Sequence, residues 1–126
     1  MKSLRQYIQE GDNEIVRIAL LMDKTIKIPP NALGDAITTL DIPTLSMVLN
    51  RVDYDINIRF EILNGYQFEP FIFYIFRRIG QQDCLAVLNL LLAHGADPHI
   101  RNSCGKTVLT IAKGLHYYNV VKRLKE

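Results

Sequence analysis

The chain has 126 residues, 48% of them hydrophobic and 22% charged, which predicts one globular unit with no room for a separate catalytic domain and excludes a disordered or membrane-embedded class. Its 15 basic and 13 acidic residues leave a net charge of +2, so no global field draws it to nucleic acid or to an anionic membrane, and charge-led binding has to be local.

The N-terminal segment MKSLRQYIQEGDNE interleaves polar residues throughout. It lacks the continuous apolar core of a secretion signal, so export by that route is not expected. The longest apolar stretch, Phe71 to Phe76, is closed by Arg77 and Arg78 and is too short to span a bilayer. Cys84 and Cys104 make neither a C-x-x-C pair nor a stapling framework, which fits a reducing cytoplasm, either of the producing cell or of a host. From Val87 the apolar spacing is helical through Leu88, Leu90, Leu91 and Leu92, and Gly95 is placed to end that helix in a left-handed conformation. After Gly105, Lys106-Thr107 leads into a short second helix carrying Val108, Leu109, Ile111 and Ala112. Gly114 and the stretch through Asn119 break it, and Val120, Val121 and Leu124 begin a third. The predicted unit is helix, turn, helix and a long hairpin-like loop.

The segment LLLAHGADPHIRNSCGKTVLTIAKGLHYYNVVKRL resembles the ankyrin repeat, a helix pair plus a projecting loop of about 33 residues. Leu91-Leu92 and Gly95-Ala96-Asp97 match the family's L-L-x-x-G-A-D, and Gly105, Thr107, Leu109 and Ala112 match its G-x-T-P-L-H-x-A-A. Val108, Thr110 and Lys113 depart from that pattern, weakening the threonine-to-histidine bonding between neighbouring repeats but leaving packing positions small or apolar. Upstream, Glu10-Gly11-Asp12 followed by Ile15, Val16, Ile18 and Leu20 resembles the turn and second helix of a first repeat. Leu33, Ala36 and Ile37, then Leu45, Val48 and Leu49, resemble a second, with Ile56-Asn57 where the family often has valine and asparagine. Glu69-Pro70-Phe71 opens a third, whose turn Ile79-Gly80-Gln81-Gln82-Asp83 is longer than usual. The resemblance implies an all-α solenoid of stacked helix pairs with projecting hairpin-like loops, one domain over 1–126 in repeats of roughly 1–30, 31–64, 65–101 and 102–126. Lys2, Arg5, Gln6 and Gln9 at one end and Arg123 at the other place polar groups where inner repeats carry apolar ones. The expectation is therefore a whole protein and not a piece of a longer array.

Catalysis needs a constellation. His94, His99 and His116, with Cys84, Cys104 and Asp97, are the only material for a metal or nucleophile site, and their spacing matches no zinc pattern. Gly105-Lys106-Thr107 lacks the earlier glycine of a phosphate loop. No enzyme, metal or cofactor is expected. Lys122, Arg123 and Lys125 read as a solvated cap with favourable charge at a helix end, without the interleaved aromatics of a nucleic-acid groove.

The aromatic run from Tyr66 to Phe76 is the local anomaly. On the repeat register Phe71, Tyr74 and Ile75 take core positions, while Phe73, Phe76 and Arg77, with Arg78 next to them, fall toward the concave side, where aromatics and arginine make binding hot spots. Alternatively the third-repeat turn folds back over them. The resemblance implies partner-choosing chemistry at loop tips, namely Arg59, Glu61 and Tyr66 in one loop and Arg101, Ser103, Cys104 and Lys106 in the next, and Leu115 joins them as a candidate contact. The function so implied is a non-catalytic protein-binding module, a small bacterial binder, inhibitor or immunity protein using its concave face and loop tips. A pathogen effector engaging host proteins is the alternative within that class. An enzyme or metal protein, and a homo-oligomer, are the alternatives outside it.

Overall fold

The computed structural model of the chain describes residues 2–57 and 69–126. Arg59, Glu61 and Tyr66 lie outside the described residues. The chain divides into two compact units, 1–54 and 55–126. The described residues form helices and connecting turns, with no strand among them.

In the first unit, helix α1 (Leu4–Gln9) starts at a capping box in which Ser3 Oγ accepts from the Gln6 amide and the Gln6 side chain accepts from the Ser3 amide. After α1 the chain turns through Gly11 at φ 71°, and Asp12 caps α2 (Asn13–Met22) by accepting from the Ile15 amide at 3.3 Å. Helix α3 (Pro30–Thr39) begins with proline in its first turn, where no amide hydrogen is needed. Asp41 then caps α4 (Ile42–Leu49), accepting from the Thr44 amide at 2.9 Å.

Helix α1 packs on α3 and α2 packs on α4, so one helix pair lies on the next. The core between them is Ile8, Val16, Leu20, Leu33, Ile37, Leu45 and Val48, all essentially without solvent contact, which supplies most of the stabilisation of helices this short. Ala32, Gly34 and Ala36 keep the inner face of α3 small. Polar links fix the pairing: Thr39 Oγ1 donates to the Ile8 carbonyl at 2.5 Å, the Asp41 amide donates to Asn13 Oδ1 at 2.8 Å, and Arg17 reaches Asp41 and Thr44 at 3.2 and 2.7 Å. Arg51, just past α4, donates to the carbonyls of Leu20, Asp23 and Ile26 and so holds the loop between α2 and α3 against the segment after α4. Tyr54 adds a hydrogen bond to the Ile28 carbonyl at 2.9 Å.

In the second unit Pro70 introduces a 3-10 helix, Phe71–Arg77, which packs on α5 (Gln81–Ala93). The buried Cys84 thiol of α5 donates to the Ile75 carbonyl at 3.0 Å. Gln81, Gln82 and Asp83, expected in a long turn, form the first turn of α5 instead. Gly80 at φ 85° reverses the chain in one residue, and Asp83 sits where a helix N-terminus favours negative charge. Gly95 ends α5 at φ 93°, with its amide on the Leu92 carbonyl and that of Ala96 on Leu91, as the sequence predicts. Thr107 caps α6 (Val108–Gly114), and α7 (Tyr118–Lys125) starts at Tyr118, inside the stretch expected to be a break. Helix α7 packs on both α6 and α5.

Candidate binding surface

Residues 96–107 connect α5 to α6 as a loop whose shape is set from within. Asn102 is 8% exposed, and its Oδ1 accepts from the Cys104 and Lys106 amides, both at 3.0 Å. Its amide donates to the Lys106 carbonyl, its carbonyl accepts from Gly105, and Arg101 reaches the Gly105 carbonyl at 2.8 Å. Gly105 takes φ 76° at the tip. Behind the loop, Asn57 clamps the chain after α5: its Nδ2 donates to the Gly95 carbonyl at 3.0 Å and its Oδ1 accepts from the Asp97 amide at 2.7 Å. With the backbone tied this way, Arg101, Ser103, Cys104 and Lys106 all stand exposed. A tip so held presents side chains to a partner without first losing backbone freedom.

The aromatic run is placed differently from one of its two expectations. Phe71, Ile72, Phe73, Tyr74 and Ile75 are consecutive and all at most 4% exposed. Phe73 is therefore a core residue and no hot spot, because five successive buried residues leave the 3-10 helix no free face at that point. Phe71 and Tyr74 meet edge to face at 5.4 Å between centroids. Phe76 and Arg78 are half-buried. Arg77 is exposed, its guanidinium 4.0 Å from the Tyr74 ring centroid, a cation-π contact that covers the aromatic edge of the core.

The turn from α6 to α7 holds the candidate contact Leu115 and His116, weighed from the sequence only as metal or nucleophile material, together with Tyr118, which sequence reasoning passed over. Leu115 is 46% and Tyr118 67% exposed. His116 lies between them at φ 59°, the one non-glycine residue at positive φ among the described residues. Its Nδ1 is 3.2 Å from the Tyr118 hydroxyl. The signal that could have exposed this turn is internal alignment. His116-Tyr117-Tyr118 occupies the same place between helices as Gly11-Asp12-Asn13, so a histidine stands where the fold uses glycine.

Charge is distributed unevenly. Residues 1–54 hold six cationic and seven anionic side chains, and residues 69–126 hold eight and four. Every ion pair between described residues lies in the first unit: Lys2–Glu10, Arg5–Asp35, Arg17–Asp41 and Lys27–Asp53, at 2.9, 3.5, 3.2 and 2.5 Å. Lys106, Lys113, Lys122, Arg123 and Lys125 pair with no described carboxylate. In the first unit, α2 instead exposes an apolar stripe, Ile15, Ile18, Leu21 and Met22 at 37, 44, 61 and 82%, whereas Lys2, Arg5, Gln6 and Gln9 face water as expected.

Titration follows these environments. Burial pushes the Tyr54 hydroxyl up to about 12, with the Asp53 carboxylate adding to it. Hydrogen bonds from Thr25 hold Asp23 below its usual value, and the Lys27 ammonium does the same for Asp53. For Asp41, desolvation raises the value but is outweighed by bonds from Thr44 and by the charge of Arg17. Burial, assisted by Asp83 and opposed by Arg78, raises the Cys84 thiol.

Among the described residues no three histidine, cysteine or acidic side chains converge on a point that could hold a metal. His94 Nδ1 lies 2.9 Å from the Leu90 carbonyl, while His99 and Cys104 are exposed on the loop and Cys84 is buried in α5. No helix of the described residues is long and apolar enough to cross a membrane. Compared with known proteins, the chain matches no family model and no curated relative.

Proposed function

We propose that this chain is a non-catalytic protein-binding module of the ankyrin-repeat type, which holds another protein through the tip of its 96–107 loop. The observation that carries the reading is the tip itself: Asn102, Arg101 and Gly105 fix its backbone, while Ser103, Cys104 and Lys106 stand exposed and take no part in the core. Three features support the repeat assignment. Helix pair lies on helix pair in the first unit, Thr107 caps the helix that follows the loop, and Asn57 ties down the backbone at Gly95 and Asp97. A small binder or inhibitor is the proposed use, with a host-directed effector as the alternative if the protein is found inside host cells.

The test is affinity capture from cells of the native source, comparing wild type with a Ser103→Ala/Cys104→Ser/Lys106→Ala variant whose helical content and melting are unchanged. A partner held by wild type and released by the variant supports the reading. Equal retention by both removes the loop tip from the interface.

A further inference from the structure

We propose that a second surface, formed by the α6–α7 turn and the outer face of α7, docks an acidic protein segment carrying at least one apolar side chain. This rests on the protein-binding reading and names the chemistry of a partner.

Helix α7 has three sides. Val120 is buried and Tyr117, Val121 and Leu124 are half-buried toward the core. Arg123 Nε donates to Asn89 Oδ1 of α5 at 2.9 Å, and the Asn119 backbone amide donates to the Gln81 side chain at 3.4 Å. The remaining side is Tyr118, Lys122 and Lys125, spaced i, i+4 and i+7 and all exposed, so that the three stack along one face. Arg123 therefore has a structural partner, whereas Lys122 and Lys125 meet no described carboxylate, in a unit that carries nine cationic against six anionic side chains. Lys2, Arg5, Arg17 and Lys27 of the first unit meet carboxylates of that unit, whereas the second leaves this stripe available for carboxylates from outside.

The turn supplies the apolar part. Leu115 and Tyr118 are both exposed at the head of the stripe, and tyrosine offers a large contact with few rotors to freeze. His116 is held at φ 59°, a conformation costly for any side chain and normally left to glycine. Gly11 makes the same turn without that cost. Because the His116 ring is exposed and, among the described residues, reaches only Tyr118, core packing gives no reason to keep it, while steadying the Tyr118 ring for a partner does. Nucleic acid fits less well, since a single-strand groove needs successive aromatic platforms and this stripe has one, beside an exposed leucine.

The test is fluorescence anisotropy with a labelled glutamate-rich peptide bearing one leucine per helical turn, against the same peptide with glutamine for glutamate and against a single-stranded oligonucleotide of equal charge. Wild type should bind the glutamate peptide best, and more weakly as salt is raised. Lys122→Glu/Lys125→Glu should weaken binding about tenfold or more and Tyr118→Ala about fivefold, with Lys24→Glu in the other unit without effect. His116→Gly should weaken binding while raising the melting temperature, an opposition that a merely structural histidine would not produce. Equal binding by wild type and the α7 charge reversal overturns the proposal, as does preference for the oligonucleotide. If no form binds the peptide while the loop-tip variant still loses a captured partner, this surface is wrong and the protein-binding reading stands.

Discussion

The two helix-to-helix turns at Gly11 and His116 use one hydrogen-bond pattern with different chemistry. In the first, the amides of Gly11, Asp12 and Asn13 donate to the carbonyls of Ile8, Tyr7 and Gly11. In the second, those of His116, Tyr117 and Tyr118 donate to Lys113, Ala112 and His116. Asp12 caps the helix that follows, whereas Tyr117 makes no side-chain cap. One turn is built for stability and lies in a unit where Lys2, Arg5, Arg17 and Lys27 all meet carboxylates. The other accepts backbone strain and a missing cap, and stands beside lysines without described partners. A turn that gives up stability while presenting exposed side chains is where a binding role is most economically sought.

The comparison can be broken at its cores first. Phe71→Ala should cost about 3–5 kcal/mol, as for other fully buried aromatics; measured by chemical denaturation, a loss under about 1 kcal/mol would mean that the 3-10 helix is not part of the cooperative core. Arg51→Ala should cost about 2–3 kcal/mol, because it strips a charged donor from the carbonyls of Leu20, Asp23 and Ile26. Hydrogen exchange should then speed up first in the loop at 23–29.

The turns themselves give opposite signs. Gly11→Ala should destabilise by about 1–2 kcal/mol, since a methyl there also meets the Thr39 carbonyl at 3.3 Å, whereas His116→Gly should stabilise by about 1 kcal/mol. If thermal melts show both changes with the same sign, the equivalence of the two turns fails.

Smaller effects concern pH and thiols. The folded-state values of Asp23 and Asp53 are depressed, so their contribution is present above the unfolded value near 4 and is lost as pH falls through the folded values below it. Tyr54 is raised to about 12, so its contribution is present below about 10 and lost as pH rises from there toward 12. Tyr54→Phe should remove that alkaline decline in denaturation midpoints while losing the bond to Ile28. A thiol reagent should label the exposed Cys104 in the native protein and reach the buried Cys84 only on unfolding; equally fast labelling of both would show that α5 opens readily.

What was legible beforehand was local. Gly95 as the end of a helix, Thr107 before the next one and Glu10-Gly11-Asp12 as the turn before a helix could be read because each signal acts within a few residues. The apolar spacing of Leu45, Val48 and Leu49, or of Val87, Leu88 and Leu91, likewise marked buried faces that the structure contains. Of the candidate contacts, Arg101, Ser103, Cys104, Lys106, Arg77 and Leu115 are exposed, as a binding residue must be. Phe73 is enclosed and not on the concave side of the repeat register, because Phe71–Arg77 wind as a 3-10 helix, whose angular step differs from that of an α-helix.

The sequence by itself determined that a helix starts after Gly11-Asp12 and another after Thr107, that one ends at Gly95 and another at Gly114, and that residues 96–107 form a loop, since capping, glycine conformation and helical period are short-range effects. Only the tertiary structure decided which cations find carboxylates, that Phe73 is enclosed, that Asn57 ties down the start of the loop and that His116 is held at positive φ. The ion pair of Arg17 and Asp41 spans 24 positions and the bond between Asn57 and Asp97 spans 40. Contacts of that reach depend on how separate helices come to pack, which no local pattern along the chain records.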